Sequence, residues 1–227
     1  MSRDVKPSPP ALASARPHAR ALGPGRPKDM EKRGAILAAA QKLFTRSGFE
    51  GTSMDAIAQA AGVSKLTVYS HFGDKDSLFR EAAQTCCGEL MPEQVFDFQA
   101  GADVRVALSA IALAHSRVLA NAELSALFRA VLGDCGADGD PRLGRLVWEV
   151  GPGRAQQKIE HFLTQAVAAG KLEINDIPMA ASQFLALLRG DLPLRRLFVC
   201  ANVCEEVDIR RNAEAAVEVF LRAYAPR

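Results

Sequence analysis

Polar and cationic side chains are concentrated in the segment 62–75, whose sequence is GVSKLTVYSHFGDK. Ammonium, imidazole and hydroxyl groups can bond phosphate oxygens and base edges, and a leucine can contact the methyl group of thymine. The residues of these types are Ser64, Lys65, Leu66, Thr67, Tyr69, Ser70, His71 and Lys75. We interpret them as a surface that contacts double-stranded DNA, with a polar face exposed only to solvent as the alternative.

The same segment has the signals of a very short helix. Ser64 belongs to the residue types that cap helix N-termini, and Gly73 to those that end helices. Isolated helices shorter than about 12–15 residues are marginal in water, so neighbouring elements must stabilise this one. The apolar residues Val63, Val68 and Phe72 are expected to face those neighbours.

The preceding residues predict the first of these neighbours. Residues 52–61 form an amphipathic stretch that Thr52 or Ser53 can cap. One helix there, a turn over 62–64 and a second helix over 65–71 make a helix-turn-helix. On spacing alone, an ordinary pair of antiparallel helices remains the alternative.

The chain beyond this motif is predicted to be helical as well. An apolar stripe with helical spacing begins after Met30, and Asp74 is the expected N-cap of a helix over 75–89. The later predicted helices, separated by Gly, Pro and Asn, are 102–120, 122–132, 141–150, 153–169, 177–190, 192–203 and 207–224. No useful alternating strand pattern occurs. The predicted fold is therefore all-α, with a three-helix DNA-binding domain over 30–75 and a larger helical domain over 76–227.

Composition and charge narrow the function. The chain has 227 residues, of which 48% are hydrophobic and 24% charged, as in ordinary folded proteins. The net charge of +2 is uneven, because residues 1–85 hold 13 Lys and Arg against 8 Asp and Glu. A basic first third favours binding of a polyanion. No apolar run approaches the ~20 residues of a membrane span, and the N-terminus lacks a secretion signal, so we expect a cytoplasmic protein.

Residues 1–29 form a compositionally distinct segment. They contain six of the twelve prolines and no periodic apolar pattern, which predicts a disordered basic arm. The run GRPK over 25–28 resembles the core of an AT-hook, which places arginine in the minor groove of A·T-rich DNA. Arg26 and Lys28 are therefore candidate DNA contacts, because arms ahead of helix-turn-helix domains reach the adjacent minor groove. A disordered spacer is the alternative.

Residues 31–79 closely resemble the N-terminal domain of the TetR/AcrR family of bacterial transcriptional repressors. The resemblance lies in ILAAAQKLFTRSGFEGTSMDAIAQAAGVSKLTVYSHFGDKDSLF, which matches the family pattern at fixed spacing. It implies a homodimer that represses transcription from a palindromic operator and is released by a small-molecule effector. The rest of the chain resembles the family only in its helical character.

The resemblance also implies roles for individual residues of the motif. Tyr69 and Lys75 occupy positions that contact phosphates in the family. Thr52 begins the helix whose N-terminus faces the DNA backbone. The residues at positions that touch bases or phosphates are Lys65, Thr67 and His71.

Two positions depart from the family pattern. Leu66 stands where glycine is frequent, and Gly73 replaces the Lys or Pro that often follows the phenylalanine. The first adds an apolar candidate for a base contact, and the second removes a charge near the DNA backbone. Both limit any prediction of the operator sequence.

The second domain is predicted to hold an effector and a dimer interface. Its candidate ligand-binding residues are Phe96, His115, Phe128, Trp148, Phe162 and Phe184, for each of which a place in the core is the alternative. The resemblance implies a four-helix interface built from two late helices of each subunit. Its candidate residues are Phe184, Leu188, Ala213, Val217, Phe220 and Leu221, for which a place in the core of their own subunit is the alternative.

Catalytic and metal-binding motifs are absent from the sequence. It contains no GxSxG, P-loop, GxGxxG or HExxH motif and no CxxC spacing. Cys86, Cys87, Cys200 and Cys204 are expected to be reduced packing residues. For the adjacent thiols of Cys86 and Cys87, a redox or soft-metal switch is the alternative. We therefore predict no enzyme activity, no cofactor and no metal. The remaining alternatives are a DNA-binding regulator without an effector and a helical protein-interaction module.

Overall fold

The computed structural model describes residues 26–99, 101–135, 140–191 and 205–226, without the side chains of 26–28. Within these ranges the regular secondary structure is helical, which confirms the predicted fold class. The N-terminal helices are α1 (Arg26–Ser47), α2 (Met54–Ala61), α3 (Lys65–Phe72) and α4 (Lys75–Leu90). After a short 3-10 helix (Glu93–Phe96) follow α5 (Val104–Ala120), α6 (Ala122–Gly133), α7 (Pro141–Val150), α8 (Pro152–Ala168), α9 (Ile177–Arg189) and α10 (Glu206–Tyr224). The helix predicted over 192–203 lies outside the described residues.

Side-chain caps explain where α2, α3 and α4 begin. Ser53 and Ser64 each accept a hydrogen bond from the amide three residues later, both at 3.1 Å. Asp74 accepts a similar bond from the amide of Ser77 at 2.7 Å, and this bond lowers the pKa of its carboxyl group. Each cap satisfies a first-turn amide that has no partner within the helix, typically stabilising it by ~1 kcal/mol.

Two glycines end the helices of the motif. Gly62 follows α2 with a φ of 67°, and Gly73 follows α3 with a φ of 74°. A residue with a Cβ rarely adopts this left-handed conformation, so both turns depend on glycine. The shortness of α3 is therefore a consequence of its two flanking residues, Ser64 and Gly73.

The first helix begins earlier than the sequence predicts. α1 starts at Arg26, whereas the predicted start is Met30. Pro27 is tolerated there because first-turn amides lack a helical partner, and Asp29 is favoured by the positive end of the helix dipole. The predicted extended arm therefore does not include residues 26–29. Residues 1–25 lie outside the described residues.

The helix-turn-helix shares one hydrophobic core with α6 and α7. Phe44, Phe49 and Phe79 are fully buried, with ring centroids between 5.4 and 5.9 Å apart. The same core contains Leu127 of α6 and Leu146 of α7. The boundary predicted at the start of α4 is therefore not a gap in packing, because the helix-turn-helix packs directly on two helices of the larger domain.

A second core is formed by α5, α8, α9 and α10. Phe162, Phe184 and Phe220 are its largest fully buried side chains. At the edge of this core, Arg105 of α5 and Glu218 of α10 form an ion pair at 2.8 Å. This core forms the far wall against which α4 and α7 enclose a cavity.

No helix in the described ranges is both long and apolar enough to span a membrane. The His, Cys, Asp and Glu residues of the same ranges form no group of three that could hold a metal ion.

Candidate functional site

The apolar side of helix α3 packs against the rest of the helix-turn-helix domain. Val68 is fully buried and Phe72 nearly so, while Val63 in the preceding turn is half-buried. The guanidinium of Arg33 in α1 lies 5.1 Å from the centre of the Phe72 ring, a cation–π contact that covers the end of the helix. The three predicted anchors thus face inward, and the short helix is stabilised by tertiary contacts.

The opposite side of α3 is open to solvent. Leu66 is 78% exposed and Tyr69 is 41% exposed, which is unusual for side chains of this size. Lys65 and Ser70 are exposed beside them. A large apolar side chain that is this exposed on a rigid helix is suited to contact a surface outside the chain.

Hydroxyl groups stabilise the first turn of α3 internally. The hydroxyls of Ser64 and Thr67 lie 2.8 Å apart, and that of Ser70 donates to the carbonyl of Thr67 at 2.8 Å. These bonds form without a ligand and orient the three side chains in advance. A hydroxyl can both donate and accept, so each retains capacity for a phosphate or base.

Lys65 is engaged by an acidic residue of α2. Its Nζ lies 2.8 Å from Oδ1 and 2.9 Å from Oδ2 of Asp55. The hydrogen bond and the charge of Asp55 raise the pKa of Lys65. Both side chains are exposed, so solvent weakens the pair, and the ammonium can exchange the carboxylate for another anion.

Two predicted DNA contacts have structural roles instead. Thr52 is only 2% exposed, and its hydroxyl donates to the carbonyl of Gly48 at 2.7 Å. The ammonium of Lys75 donates to the carbonyls of Phe49 and Thr52 at 2.9 and 3.1 Å. It also lies 4.4 Å from the centre of the Phe49 ring. Both residues therefore stabilise the turn between α1 and α2. The Thr52 side chain is buried, so a contact of this region with the DNA backbone would come from the N-terminus of α2 that Thr52 precedes.

His71 connects α3 to the start of α1. Its side chain is 13% exposed, and Nε2 lies 3.2 Å from Oδ1 of Asp29. Most of the ring is therefore covered. The backbone of Arg26 and Lys28 lies in the same first turn of α1, which brings the N-terminus of α1 beside the end of α3.

A contact that the sequence analysis missed joins the motif to the larger domain. The carboxylate of Asp134, at the end of α6, accepts hydrogen bonds from the amides of Phe49 and Glu50 at 2.7 and 3.0 Å. Arg142 of α7 pairs with Asp76 of α4 at 2.5 Å. An aspartate that far along the chain carries no local signal of this role.

The larger domain contains a cavity of about 610 Å³ between α4, α5, α6, α7, α8 and α9. Three of the six predicted ligand-binding residues line it: His115, Phe128 and Trp148. Phe162 and Phe184 are fully buried in the core behind it, where the former packs on Phe98. Their prediction as ligand contacts is wrong because periodicity does not distinguish a cavity wall from the core.

Phe96 lies at a separate depression of about 610 Å³ on the outer side of α8. It is buried, and the ammonium of Lys158 lies 5.2 Å from the centre of its ring. Lys158 and Arg154 both donate to the carboxylate of Glu93, at 2.8 and 3.1 Å, and these bonds lower its pKa. Phe96 therefore lines this second depression and not the cavity.

His115 is the most unusual polar group of the cavity wall. It is 8% exposed, and its Nδ1 has no hydrogen-bond partner among the described residues. Burial, and secondarily the charge of Arg189, lowers its pKa to about 4. The imidazole is therefore neutral at physiological pH and can both donate and accept a hydrogen bond.

The described cysteines are protonated thiols rather than reactive ones. Cys87 lines the cavity, and burial raises its pKa to about 11. Burial also raises the pKa of Cys86 and that of Cys135. A thiol that resists deprotonation is a poor nucleophile and a poor metal ligand. Residues 200 and 204 lie outside the described residues.

The predicted dimer residues face the core of their own protomer. Phe184, Leu188 and Ala213 are buried, as are Val217, Phe220 and Leu221, none of them more than 6% exposed. Their assignment to an intersubunit surface is wrong, because the apolar stripes of α9 and α10 are used to close the second core.

Comparison with known proteins agrees with this architecture. Residues 36–82 match the family of bacterial regulatory proteins named after tetR, and residues 106–226 match the C-terminal domain of AefR-like transcriptional repressors. The regulatory protein RaaS of Mycobacterium tuberculosis is 28% identical over 73% of this chain and 71% of its own length. The regulators YhgD of Bacillus subtilis and FasR of Mycolicibacterium smegmatis match over only 32% and 26% of their own lengths.

Solved structures resemble nearly the whole chain. A TetR-family regulator of Mesorhizobium loti is 30% identical with a TM-score of 0.71, covering 88% of this chain and 99% of that one. The flavonoid-responsive regulator FrrA is 37% identical with a TM-score of 0.68, covering 87% and 99%. With the helix-turn-helix, the larger helical domain and the two family matches in agreement, the chain belongs to the TetR family of transcriptional regulators, which are DNA-binding proteins and not enzymes.

Proposed function

We propose that this protein represses transcription by binding a palindromic operator as a homodimer, and that a small molecule in the cavity releases it. The observation that carries the proposal is the outer face of α3, where Lys65, Leu66 and Tyr69 project from a helix whose other face is buried. Such a helix enters the major groove already ordered, so little conformational entropy is lost on binding.

The homodimer needs a surface other than the one predicted from the sequence. Exposed apolar residues on the outer sides of α9 and α10 support one, since Met179 is 53% exposed and Val219 52%. Ala215 and Ala223 are exposed on the same side of α10 as Val219, one turn before and after it. Two copies joined there are related by a two-fold axis, which matches half-sites one helical turn (~34 Å) apart.

The position of the cavity supports control by an effector. Its wall includes Gln84 and Cys87 of α4 and Trp148 of α7. Further along, the same two helices are joined by the Arg142–Asp76 ion pair next to the DNA-binding motif. A ligand that binds better to a different spacing of α4 and α7 shifts the protein toward a state that does not fit the operator.

The direct test is binding to DNA from upstream of the gene, measured by fluorescence anisotropy at several salt concentrations. We expect a preference over shuffled DNA and an affinity that falls with salt by ~0.9 logarithmic units per phosphate contact. The double variant K65A/Y69A should lose affinity at least tenfold. K171A, which removes a lysine of the larger domain, is the matched control and should bind as the wild type does.

Absence of any sequence preference in that experiment would refute the proposal. The direction of control is tested by a promoter–reporter fusion, in which deletion of the gene should raise expression if the protein represses. This arm matters because FasR, one of the relatives, is named an activator. Because FrrA is named flavonoid-responsive, flavonoids are the first molecules to screen for release of the DNA.

A further inference from the structure

We propose that the cavity binds a weakly acidic aromatic molecule whose hydroxyl group bonds to Nδ1 of His115. This inference rests on the proposed function, because it specifies the chemical class of the effector that the cavity takes. It depends on three features of the wall: the unpartnered imidazole, the aromatic side chains and the excess of cationic groups.

The unpartnered imidazole calls for a polar group of the ligand. His115 is buried in the wall at 8% exposure, and its Nδ1 meets no donor or acceptor among the described residues. Buried polar atoms are almost always hydrogen-bonded in folded proteins, so this atom is best explained by a partner that arrives with the ligand. Arg189 also lines the cavity, but its guanidinium makes no hydrogen bond to this nitrogen.

A hydroxyl group fits this position in either tautomer of the ring. The imidazole is neutral, so Nδ1 either carries the proton and donates or lacks it and accepts. A hydroxyl can respond to both cases, whereas a carboxylate can only accept and an ammonium group can only donate. The cavity therefore selects a neutral group with both capacities at this position.

The remaining wall selects an aromatic and acidic molecule. Phe128 and Trp148 supply flat apolar surface, and the volume of about 610 Å³ accommodates a molecule of two or three rings. The charged groups that line the cavity are Glu93, Arg154, Lys158 and Arg189. Glu93 is paired with the two cations of α8, so the wall carries an excess of positive charge. That excess disfavours cationic ligands and favours a hydroxyl of phenolic acidity over one of an alcohol.

The test compares 7-hydroxyflavone with 7-methoxyflavone and unsubstituted flavone by isothermal titration calorimetry. These three share one scaffold, and only the first has a hydroxyl group. We expect the first to bind about tenfold more tightly than the other two, the ratio that corresponds to one hydrogen bond. In H115F all three affinities should become equal, while H161F, which alters a histidine outside the cavity, should retain the preference.

A spectroscopic measurement covers the case in which H115F does not fold. In the wild-type protein labelled with ¹⁵N-histidine, 7-hydroxyflavone should shift the Nδ1 resonance of His115 and leave that of His161 unchanged. Flavone has no hydroxyl group, so it should not produce the shift of the Nδ1 resonance that a hydrogen bond causes. Binding that is equal for the three compounds overturns the inference and leaves the proposed function intact.

The absence of binding by any of the three flavones also overturns the inference. Operator binding is measured separately, so a failure of the proposed function is recognised by the loss of DNA preference rather than by the calorimetry. A hydroxyl preference that survives in H115F assigns the hydrogen bond to another residue and contradicts the role of His115.

Discussion

The carboxylate of Asp134 and the amide of Phe49 are joined by a hydrogen bond of 2.7 Å across a separation of 85 residues. The same oxygen accepts from the amide of Glu50, so the residue that follows α6 fixes the turn that precedes α2. A Cβ at position 48 would lie 2.6 Å from this oxygen, and Gly48 has a φ of 71°. Glycine is thus required there both by backbone conformation and by the approach of Asp134.

We expect D134A to loosen the docking of the DNA-binding motif. The substitution leaves two amides without their partner, which should lower the free energy of unfolding by about 1–3 kcal/mol. Operator affinity should fall, and the response to an effector should weaken because α6 no longer holds the turn. Chemical denaturation and anisotropy measure the two effects. D97A, which removes an exposed aspartate elsewhere, is the control, and equal behaviour of the two variants would contradict this role.

Replacement of Lys75 should lower the stability of the fold and leave the number of phosphate contacts unchanged. In K75M the carbonyls of Phe49 and Thr52 lose their shared donor, which should cost about 1–3 kcal/mol because the bonds are charge-assisted. The salt dependence of residual DNA binding should be unchanged if the ammonium does not contact phosphate. A slope reduced by ~0.9 without loss of stability would restore the phosphate role that the sequence predicts.

Neutralisation of Asp55 should strengthen DNA binding. Lys65 is paired with this carboxylate at 2.8 Å, and the carboxylate also repels phosphates. D55N removes both effects, so we expect operator affinity to rise by up to about tenfold at low salt and by less at high salt. The same variant in a K65A background should show a smaller gain. Lower affinity in D55N would mean that Asp55 positions Lys65 for the DNA.

His115 should make the protein sensitive to acid. Its pKa is about 4 in the folded chain against an ordinary 6.5, so the unfolded chain binds the proton more tightly. The contribution of His115 to the free energy of unfolding is therefore fully present above pH 6.5. It declines as the pH falls toward 4, below which this group causes no further loss. The difference corresponds to about 3 kcal/mol at 1.36 kcal/mol per pKa unit. In H115Q the decline should be smaller, whereas H161Q should keep it; denaturation across this pH range distinguishes them.

The exposed side of α10 should carry the dimer contact. V219R places a charge among exposed apolar residues there, and sedimentation equilibrium should report a monomer at concentrations where the wild type is a dimer. V106R makes the same change at a 66% exposed valine of α5 and should leave the mass unchanged. A dimer that persists in V219R would place the interface elsewhere.

Much of the fold follows from short-range signals. The caps at Ser64 and Asp74, the stops at Gly62 and Gly73 and the helical spacing of apolar residues predict α2 to α4 within a few residues. These signals act over one or two turns, so they are readable without a tertiary structure. The sequence predicts the start of α1 too late, because proline is tolerated in a first turn as well as in an extended chain.

The bounds and the two faces of α3 were determined by the sequence itself, because the cap at Ser64, the stop at Gly73 and the spacing of Val68 and Phe72 are local signals. The tertiary structure decided which polar groups remain available: Thr52 and Lys75 are used by the turn, and Lys65 is shared with Asp55. It also decided that the stripes of α9 and α10 close their own core. Hydrogen bonding and burial depend on residues far apart in the chain, so composition and periodicity alone do not determine them.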